Sequence, residues 1–349
     1  MSNPFRFIRG NHRIGGASLL SPRAKRSFAN MAATTDIKTY KFNHSMIRCK
    51  DPKKSIEFYE FLGMELVKKL SFPDSQFDLY FLGYNSPKSL SAGNTTFDRE
   101  GLIELTHNYG TENDPGFKVN NGNDQTDRGF GHVCVSVDNI QAACKRLEDA
   151  GYKFQKKLAD GRMKGIAFAL DPDSYWVEII PQNQKEETEE MTETDVSTYR
   201  MTVQNHTMLR VRDIEKSLKF YQDVLGMNLV ETKEFPDAGF NLYFLGYGHC
   251  KDLPRSNREG LLELTWNYGT EKDENFKYHD GNSGFQGFGH ICISVDNLQA
   301  ACDRFELMNC TWKKRLTDGR MKNVAFLLDN DGYWIEVVQN ERFTGKENF

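Results

Sequence analysis

Short alternating apolar runs recur along the chain, bounded by Gly, Pro, Asn or Asp. SMIRC at 45–49, DLYFL at 78–82, LIELT at 102–106, HVCVSV at 132–137, GIAFAL at 165–170 and YWVEII at 175–180 have the two-residue period of strands. Two stretches have helical spacing instead. One carries Ile56, Tyr59 and Phe61-Leu62; the other is NIQAACKRLEDAG, closing on Gly151. The order strand, helix, strands therefore occurs twice within the first half of the chain, which predicts an α+β fold.

The second half writes the same pattern again. HSMIRCK at 44–50 becomes HTMLRVR at 206–212, and REGLIELTHNYGTE becomes REGLLELTWNYGTE. GFGHVCVSVDN from Gly129 returns as GFGHICISVDN from Gly287, and DGRMKGIAFALDPDSYWVEII returns as DGRMKNVAFLLDNDGYWIEVV. The chain is thus a duplication of four strand–helix–strands modules: unit A at 40–180, an acidic linker at 181–200, unit B at 201–338 and a tail at 339–349. QNQKEETEEMTETD lacks apolar periodicity and reads as an exposed linker.

Bulk properties narrow the function class. With 38% hydrophobic and 27% charged residues the 349-residue chain is an ordinary globular composition with room for two cores. A net charge of -4 with no basic stripe gives no nucleic-acid footprint, and no apolar run is long enough to span a membrane. The seven cysteines include no C-x-x-C pair, and Cys134 with Cys292 and Cys144 with Cys302 hold equivalent apolar places. They read as reduced core thiols. Residues 1–36 form a basic leader with Arg6, Arg9, Arg13, Arg23, Lys25 and Arg26 and no acid before Asp36. It resembles a mitochondrial transit peptide, the alternative being a disordered tail, and Met31 offers a start for a shorter cytosolic form.

The duplication filters the candidate chemistry. His12, His249 and His279 have no counterpart, and His107 faces Trp266; only His44 with His206 and His132 with His290 occur in both copies. Glu104 and Glu263 sit in LIELT and LLELT, and Glu178 and Glu336 in YWVEII and YWIEVV. A glutamate among apolar neighbours in a strand is costly to bury unless paired or bound to a cation. His, Glu, His, Glu follow one another at intervals of 60, 28 and 46 residues in unit A and 57, 27 and 46 in unit B. Two imidazoles and two carboxylates on four strands suit a divalent zinc, nickel or iron. Satisfied polar residues in the core are the alternative. Arg48 and Arg210 lie four residues after each first His on the same strand face, positioned for a substrate carboxylate or for a surface salt bridge.

Together, HSMIRCKDPKKSIEFY, LIELTHNYGTE, RGFGHVCVSVDN and DGRMKGIAFALDPDSYWVEII resemble the glyoxalase I (lactoylglutathione lyase) family of the vicinal oxygen chelate superfamily. The resemblance spans both units and matches the fused, monomeric form of that family. It implies paired βαβββ modules forming cupped mixed sheets, with ligands supplied crosswise: His44, Glu104, His290 and Glu336 at one site, and His206, Glu263, His132 and Glu178 at a pseudo-symmetric second. It implies one zinc ion per site, with nickel or another divalent metal as the alternative, and glutathione as co-substrate. Glu178 and Glu336 would be the bases moving the proton, with Glu104 and Glu263 as the opposite carboxylates. Glutathione contacts would come from Arg48, Asn108, Lys314, Arg320 and Met321 at one site. At the other they would come from Arg210, Asn267, Arg128, Lys156, Arg162 and Met163. Unit B has Gln286 where unit A has Arg128, so the site using it lacks one cation. The implied reaction is isomerisation of the methylglyoxal–glutathione hemithioacetal to S-lactoylglutathione, in mitochondria, cytoplasm or both. Rival readings are an extradiol-type dioxygenase and a non-catalytic metal- or ligand-binding protein on the same fold.

Overall fold

The computed structural model describes residues 35–86, 88–161, 163–182 and 202–349. The leader up to residue 34, most of the acidic linker and Arg162 lie outside the described residues.

Four βαβββ modules follow one another. The first is β1(Lys41–Cys49), α1(Pro52–Phe61), β2(Glu65–Phe72), β3(Phe77–Gly83) and β4(Leu102–Asn108). The second is β5(Phe130–Val137), α2(Ile140–Asp149), β6(Phe154–Lys156), β7(Ala167–Leu170) and β8(Trp176–Pro181). Unit B supplies β9(Val203–Val211), α3(Ile214–Lys219), β10(Asn228–Phe235), β11(Phe240–Gly246) and β12(Leu261–Asn267). The last module is β13(Phe288–Val295), α4(Leu298–Leu307), β14(Thr311–Lys314), β15(Val324–Leu328) and β16(Trp334–Gln339).

The helices start where capping chemistry puts them. The Asp51 carboxylate accepts from the Lys53 and Lys54 amides with Pro52 at the first helical position, and Asn139 and Asn297 cap α2 and α4 in the same way. Along α2, Ile140, Ala143, Cys144 and Leu147 form one buried stripe.

The α+β class and the tandem units stand, and the structure adds how the modules pair. Neither eight-stranded sheet belongs to one unit. One runs β14-β15-β16-β13-β1-β4-β3-β2, and the other β10-β11-β12-β9-β5-β8-β7-β6. The seam in each is an antiparallel pair between units, β1 with β13 and β9 with β5. The first module of unit A thus shares a sheet with the last module of unit B. Across the pseudo-two-fold axis the Phe130 and Phe288 rings stack at 4.9 Å, and the Ser45 and Thr207 hydroxyls meet at 2.7 Å.

Along each strand, alternate residues serve two environments. Ile47, Ile103 and Leu105 join the large core, whereas His44, Arg48, Glu104 and Thr106 share the opposite face. The glycines of the repeated motifs answer to crowding at the seam. A Cβ on Gly287 would lie 1.7 Å from the Asn120 carbonyl oxygen, and one on Gly129 would lie 2.1 Å from that of His279. Gly101 and Gly260 hold φ of 66° and 63°, where two loops touch across the axis. All seven cysteines are free thiols and six are buried. The segment after β16 is ordered: Glu341–Phe343 makes a helical turn and the chain runs on to pack against the first sheet.

Candidate metal and substrate sites

Each sheet gathers one His–Glu–His–Glu quartet on one of its faces. β1 places His44 beside Glu104 of β4 and, over the seam, His290 of β13 and Glu336 of β16. The second quartet is His206 of β9, Glu263 of β12, His132 of β5 and Glu178 of β8. In each, all four residues are buried and their ligand atoms lie within 4.8 Å of one another. The crossed pairing implied by the resemblance is the arrangement found.

At the first site His44 Nε2 lies 3.1 Å from Glu104 Oε2, 3.2 Å from Glu336 Oε2 and 3.2 Å from His290 Nε2. The second site repeats this with His206 Nε2 at 3.1 Å from both Glu178 and Glu263 and 3.2 Å from His132 Nε2. The orientation of the first His is fixed from behind. Asn43 Nδ2 donates to the carbonyls of Thr96 and Arg99, which turns its Oδ1 toward His44 Nδ1 at 2.8 Å. That oxygen can only accept, so Nδ1 keeps a proton in either charge state and Nε2 faces the quartet as the nitrogen whose proton a metal ion would displace. Asn205 does the same for His206, using the Arg255 and Arg258 carbonyls.

The donor set fits a divalent cation. Two imidazole nitrogens at 3.2 Å can share at most one proton, and the buried Glu336 Oε2 has no hydroxyl or amide hydrogen-bonded to it. A cation at the centre satisfies all these groups together. The electrostatics agree. Burial pushes His44 down, but the carboxylates of Glu104 and Glu336 outweigh it and raise its pKa to about 9. Burial likewise opposes ionisation of Glu178 and Glu336, yet the imidazoles hold both below the usual carboxylate range. The quartets are negative wells that capture positive charge.

The two glutamates of a quartet are held differently. The Thr106 hydroxyl donates to Glu104 Oε1 at 3.0 Å, and Thr265 to Glu263 Oε1 at 3.2 Å. Beside Glu336 and Glu178 the strand register sets Cys292 and Cys134, whose thiols are pushed well above their usual pKa by burial and by those carboxylates.

The remaining expected contacts divide. Arg48 is partly buried, and among the described residues its side chain has no salt-bridge partner. Its guanidinium donates to Asn282 Oδ1 at 2.9 Å and to the Gly281, Gly287 and Phe288 carbonyls of the other unit. Arg210 makes the matching set with Asn123, Gly122, Gly129 and Phe130. Both arginines therefore stitch the seam as well as facing the site. Arg128 is exposed at the same end, near enough to Arg210 to lower its pKa after burial and the opposing Tyr333. Asn108 ends β4 exposed, and Asn267 Nδ2 donates to the Tyr278 hydroxyl at 2.8 Å. Lys156 and Lys314 are committed to their own loops. Lys156 Nζ donates to the Met163 and Ile166 carbonyls at 2.6 and 2.7 Å, and Lys314 to those of Met321 and Val324 at the same distances. Met163 lines a cavity reaching Glu178, His206 and Glu263, while Arg320 and Met321 are exposed.

Sequence reading passed over Asn43 and Asn205, although an Asn precedes the first His in both copies, and Thr106 and Thr265, although ELT repeats. Lys233 and Arg255, which line the cavity, carry no sequence signal because they are not repeated.

The Glyoxalase/Bleomycin resistance protein/Dioxygenase superfamily matches residues 41–179 and 203–337. A lactoylglutathione lyase of Schizosaccharomyces pombe is 50% identical over 313 residues, covering 89% of this chain and 100% of the relative. Glyoxalase I of Saccharomyces cerevisiae is 47% identical, with 86% of this chain and 92% of the relative covered. The crystal structure of glyoxalase I from Zea mays is 26% identical with a TM-score of 0.63, covering 88% of this chain and 94% of that one.

Proposed function

The chain belongs to the Glyoxalase/Bleomycin resistance protein/Dioxygenase superfamily, and we infer that it works as a lactoylglutathione lyase, isomerising the hemithioacetal of methylglyoxal and glutathione to S-lactoylglutathione. The observation that carries this is the pair of complete, buried quartets on a chain half identical to a lyase over nearly its whole length. Zinc is the ion proposed for each, because imidazole and carboxylate donors suit it and the lack of thiolate argues against a structural knot; with four protein ligands against the usual three of a catalytic site, coordination would expand or one glutamate would let go. When bound, the ion supplies Lewis-acid stabilisation of negative charge developing on the substrate oxygens.

The protein's own part is to hold the substrate, exclude water and move one proton. Glu336 and Glu178 are the proposed bases. Each takes the proton from the carbon beside sulfur and returns it to the neighbouring carbon, while the hydroxyl proton on the first carbon's oxygen passes to the oxygen of the second, so the thioester and the new hydroxyl form with no atom gained or lost. The fixation of Glu104 and Glu263 by threonine hydroxyls supports this division, since it leaves Glu336 the less tethered carboxylate of its pair. Arg48 with Asn108 and Arg210 with Asn267 orient the charged tripeptide. Arg128 adds a cation at the second site alone. One chain carries every ligand of both sites, which supports a functional monomer.

The test is appearance of the thioester product from methylglyoxal and glutathione. It should be lost on chelation, restored by zinc and abolished in the Glu178→Gln/Glu336→Gln double variant. Catechol-dependent oxygen uptake without thioester formation would overturn the reading.

A further inference from the structure

The ligands of the two sites match one for one, but the walls beyond them do not. At the second site a cavity of about 230 Å³ runs from the metal-ligand side chains past Phe244, Leu242 and Ile166, and Lys233 and Arg255 line it. The Arg255 guanidinium lies 4.3 Å from the Phe244 ring centroid and pairs with Glu231.

Strand register identifies the counterparts at the first site. Phe81 stands edge-on to His44 at 5.3 Å as Phe244 does to His206 at 5.4 Å. The hairpin pairing Phe72–Phe77 matches Phe235–Phe240, so Leu70 takes the place of Lys233. Asn43 reaches the Thr96 carbonyl where Asn205 reaches that of Arg255, so Thr96 replaces Arg255 and Phe97 follows it. Both cations are gone.

At this end of the first site sits Phe349. The Phe349 ring packs 5.6 Å from Phe97, itself 6.4 Å from the His44 ring, and 6.3 Å from Phe72. Four polar contacts hold this segment there. Lys68 pairs with Glu347 at 2.7 Å, the Asn348 amide donates to Glu341 Oε1 at 2.9 Å, Asn348 Nδ2 donates to the Gln339 carbonyl at 2.6 Å, and Asn323 Nδ2 donates to the Asn348 carbonyl at 2.6 Å.

We propose that the two sites divide substrates by the group carried on the oxoaldehyde carbon. The first takes small apolar groups because Phe349 closes its apolar end. The second takes longer groups bearing an anion, recognised by Lys233 and Arg255. This rests on the lyase reading. With the reacting carbons at the quartet and the charged tripeptide toward Arg48 or Arg210, the remaining substituent has only the apolar wall to occupy. An aromatic substituent collides with Phe349 at one site and enters the cavity at the other, where an anion on its far end meets Lys233 and Arg255, two cations against the one carboxylate of Glu231.

Single-site enzymes test this with the glutathione adducts of methylglyoxal, phenylglyoxal and 4-carboxyphenylglyoxal. With Glu178→Gln leaving the first site, the methyl adduct is preferred over the phenyl adduct. Adding Phe349→Ala raises the phenyl-to-methyl ratio of kcat/KM about tenfold. With Glu336→Gln leaving the second site, the carboxyphenyl adduct is preferred over phenyl. Adding Lys233→Leu, which installs the first site's residue, lowers that ratio about tenfold. Each ratio is internal to one enzyme, so a variant of reduced folded fraction is still readable. Equal ratios in both single-site enzymes, or ratios unmoved by these substitutions, would overturn the proposal while leaving the lyase reading intact. No turnover of the methyl adduct by the unsubstituted chain would refute the lyase reading itself.

Discussion

Two double variants with the same number of changes should differ by more than an order of magnitude in activity. His44→Ala with Glu336→Gln removes two groups 3.2 Å apart in one quartet, and the His206 quartet is untouched. His44→Ala with Glu178→Gln removes one group from each quartet, although both residues belong to unit A. Losing a positioned base costs roughly 10²–10⁴ in rate, and losing His44 removes the Nε2 lying within 3.2 Å of the three other ligands. The first double should therefore keep whatever share of kcat its intact second site supplies at saturating methylglyoxal adduct, and the second about one per cent or less of wild type. Both carry the same stability penalty from His44→Ala, which strands Asn43 Oδ1 at a cost of ~1–3 kcal/mol. Thermal unfolding should then be similar for the two, and kcat for thioester formation is the deciding assay. A more active Glu178→Gln double would mean that sites form within units, and the crossed architecture would be refuted.

Three further outcomes follow from the same structure. Asn43→Leu removes the acceptor that holds the proton on His44 Nδ1, and should weaken metal affinity at the first site 10–100-fold (about that range for such outer partners) in chelator-competition titration, with the Asn205 site unaffected. Arg128→Gln gives the second site the residue found at the first, and should raise its KM for the glutathione adduct by roughly 5–30-fold in a Glu336→Gln background; an unchanged KM would show that Arg128 does not meet the adduct. Burial raises Glu100 and Glu259 to about 7 each, and the carboxylate of Glu100 in one unit adds to the rise at Glu259 in the other. Such groups bind more protons folded than unfolded, so their contribution is full below about pH 4.5 and is lost as pH rises through 7. Glu100→Gln/Glu259→Gln should thus flatten the fall in Tm between pH 5 and 8, and a parallel fall in both proteins would contradict the assignment.

Alternation and duplication together made much of this protein readable from its residues. Period-two runs fix which side chains of one strand share a face, so His44 and Arg48 could be placed together without coordinates, and the structure sets Glu104 of β4 on the same surface. A second copy then separated the four recurring ligands per unit from histidines such as His249 and His279, which hydrogen-bond the Tyr40 and Ser283 carbonyls. What alternation cannot specify is which strand lies alongside. β1 pairs with β13 across nearly the whole chain and not with β5 of its own unit, although the two carry almost the same residues. Near-identical edges are chemically interchangeable, so the choice belongs to the global packing. The same holds for side chains whose partners are backbone carbonyls: Lys156 and Lys314 looked free for a ligand and are bound by their loops, because no residue pattern records where a carbonyl points. Phe349, in a tail without periodicity, reaches the first site for a similar reason. Its partners Phe97 and Phe72 lie some 250 residues or more away in the chain, and only the folded sheet brings them together. Residue chemistry thus determined the ligands and their faces, while the tertiary structure decided which halves meet, because strand pairing is a long-range contact that local patterning leaves degenerate.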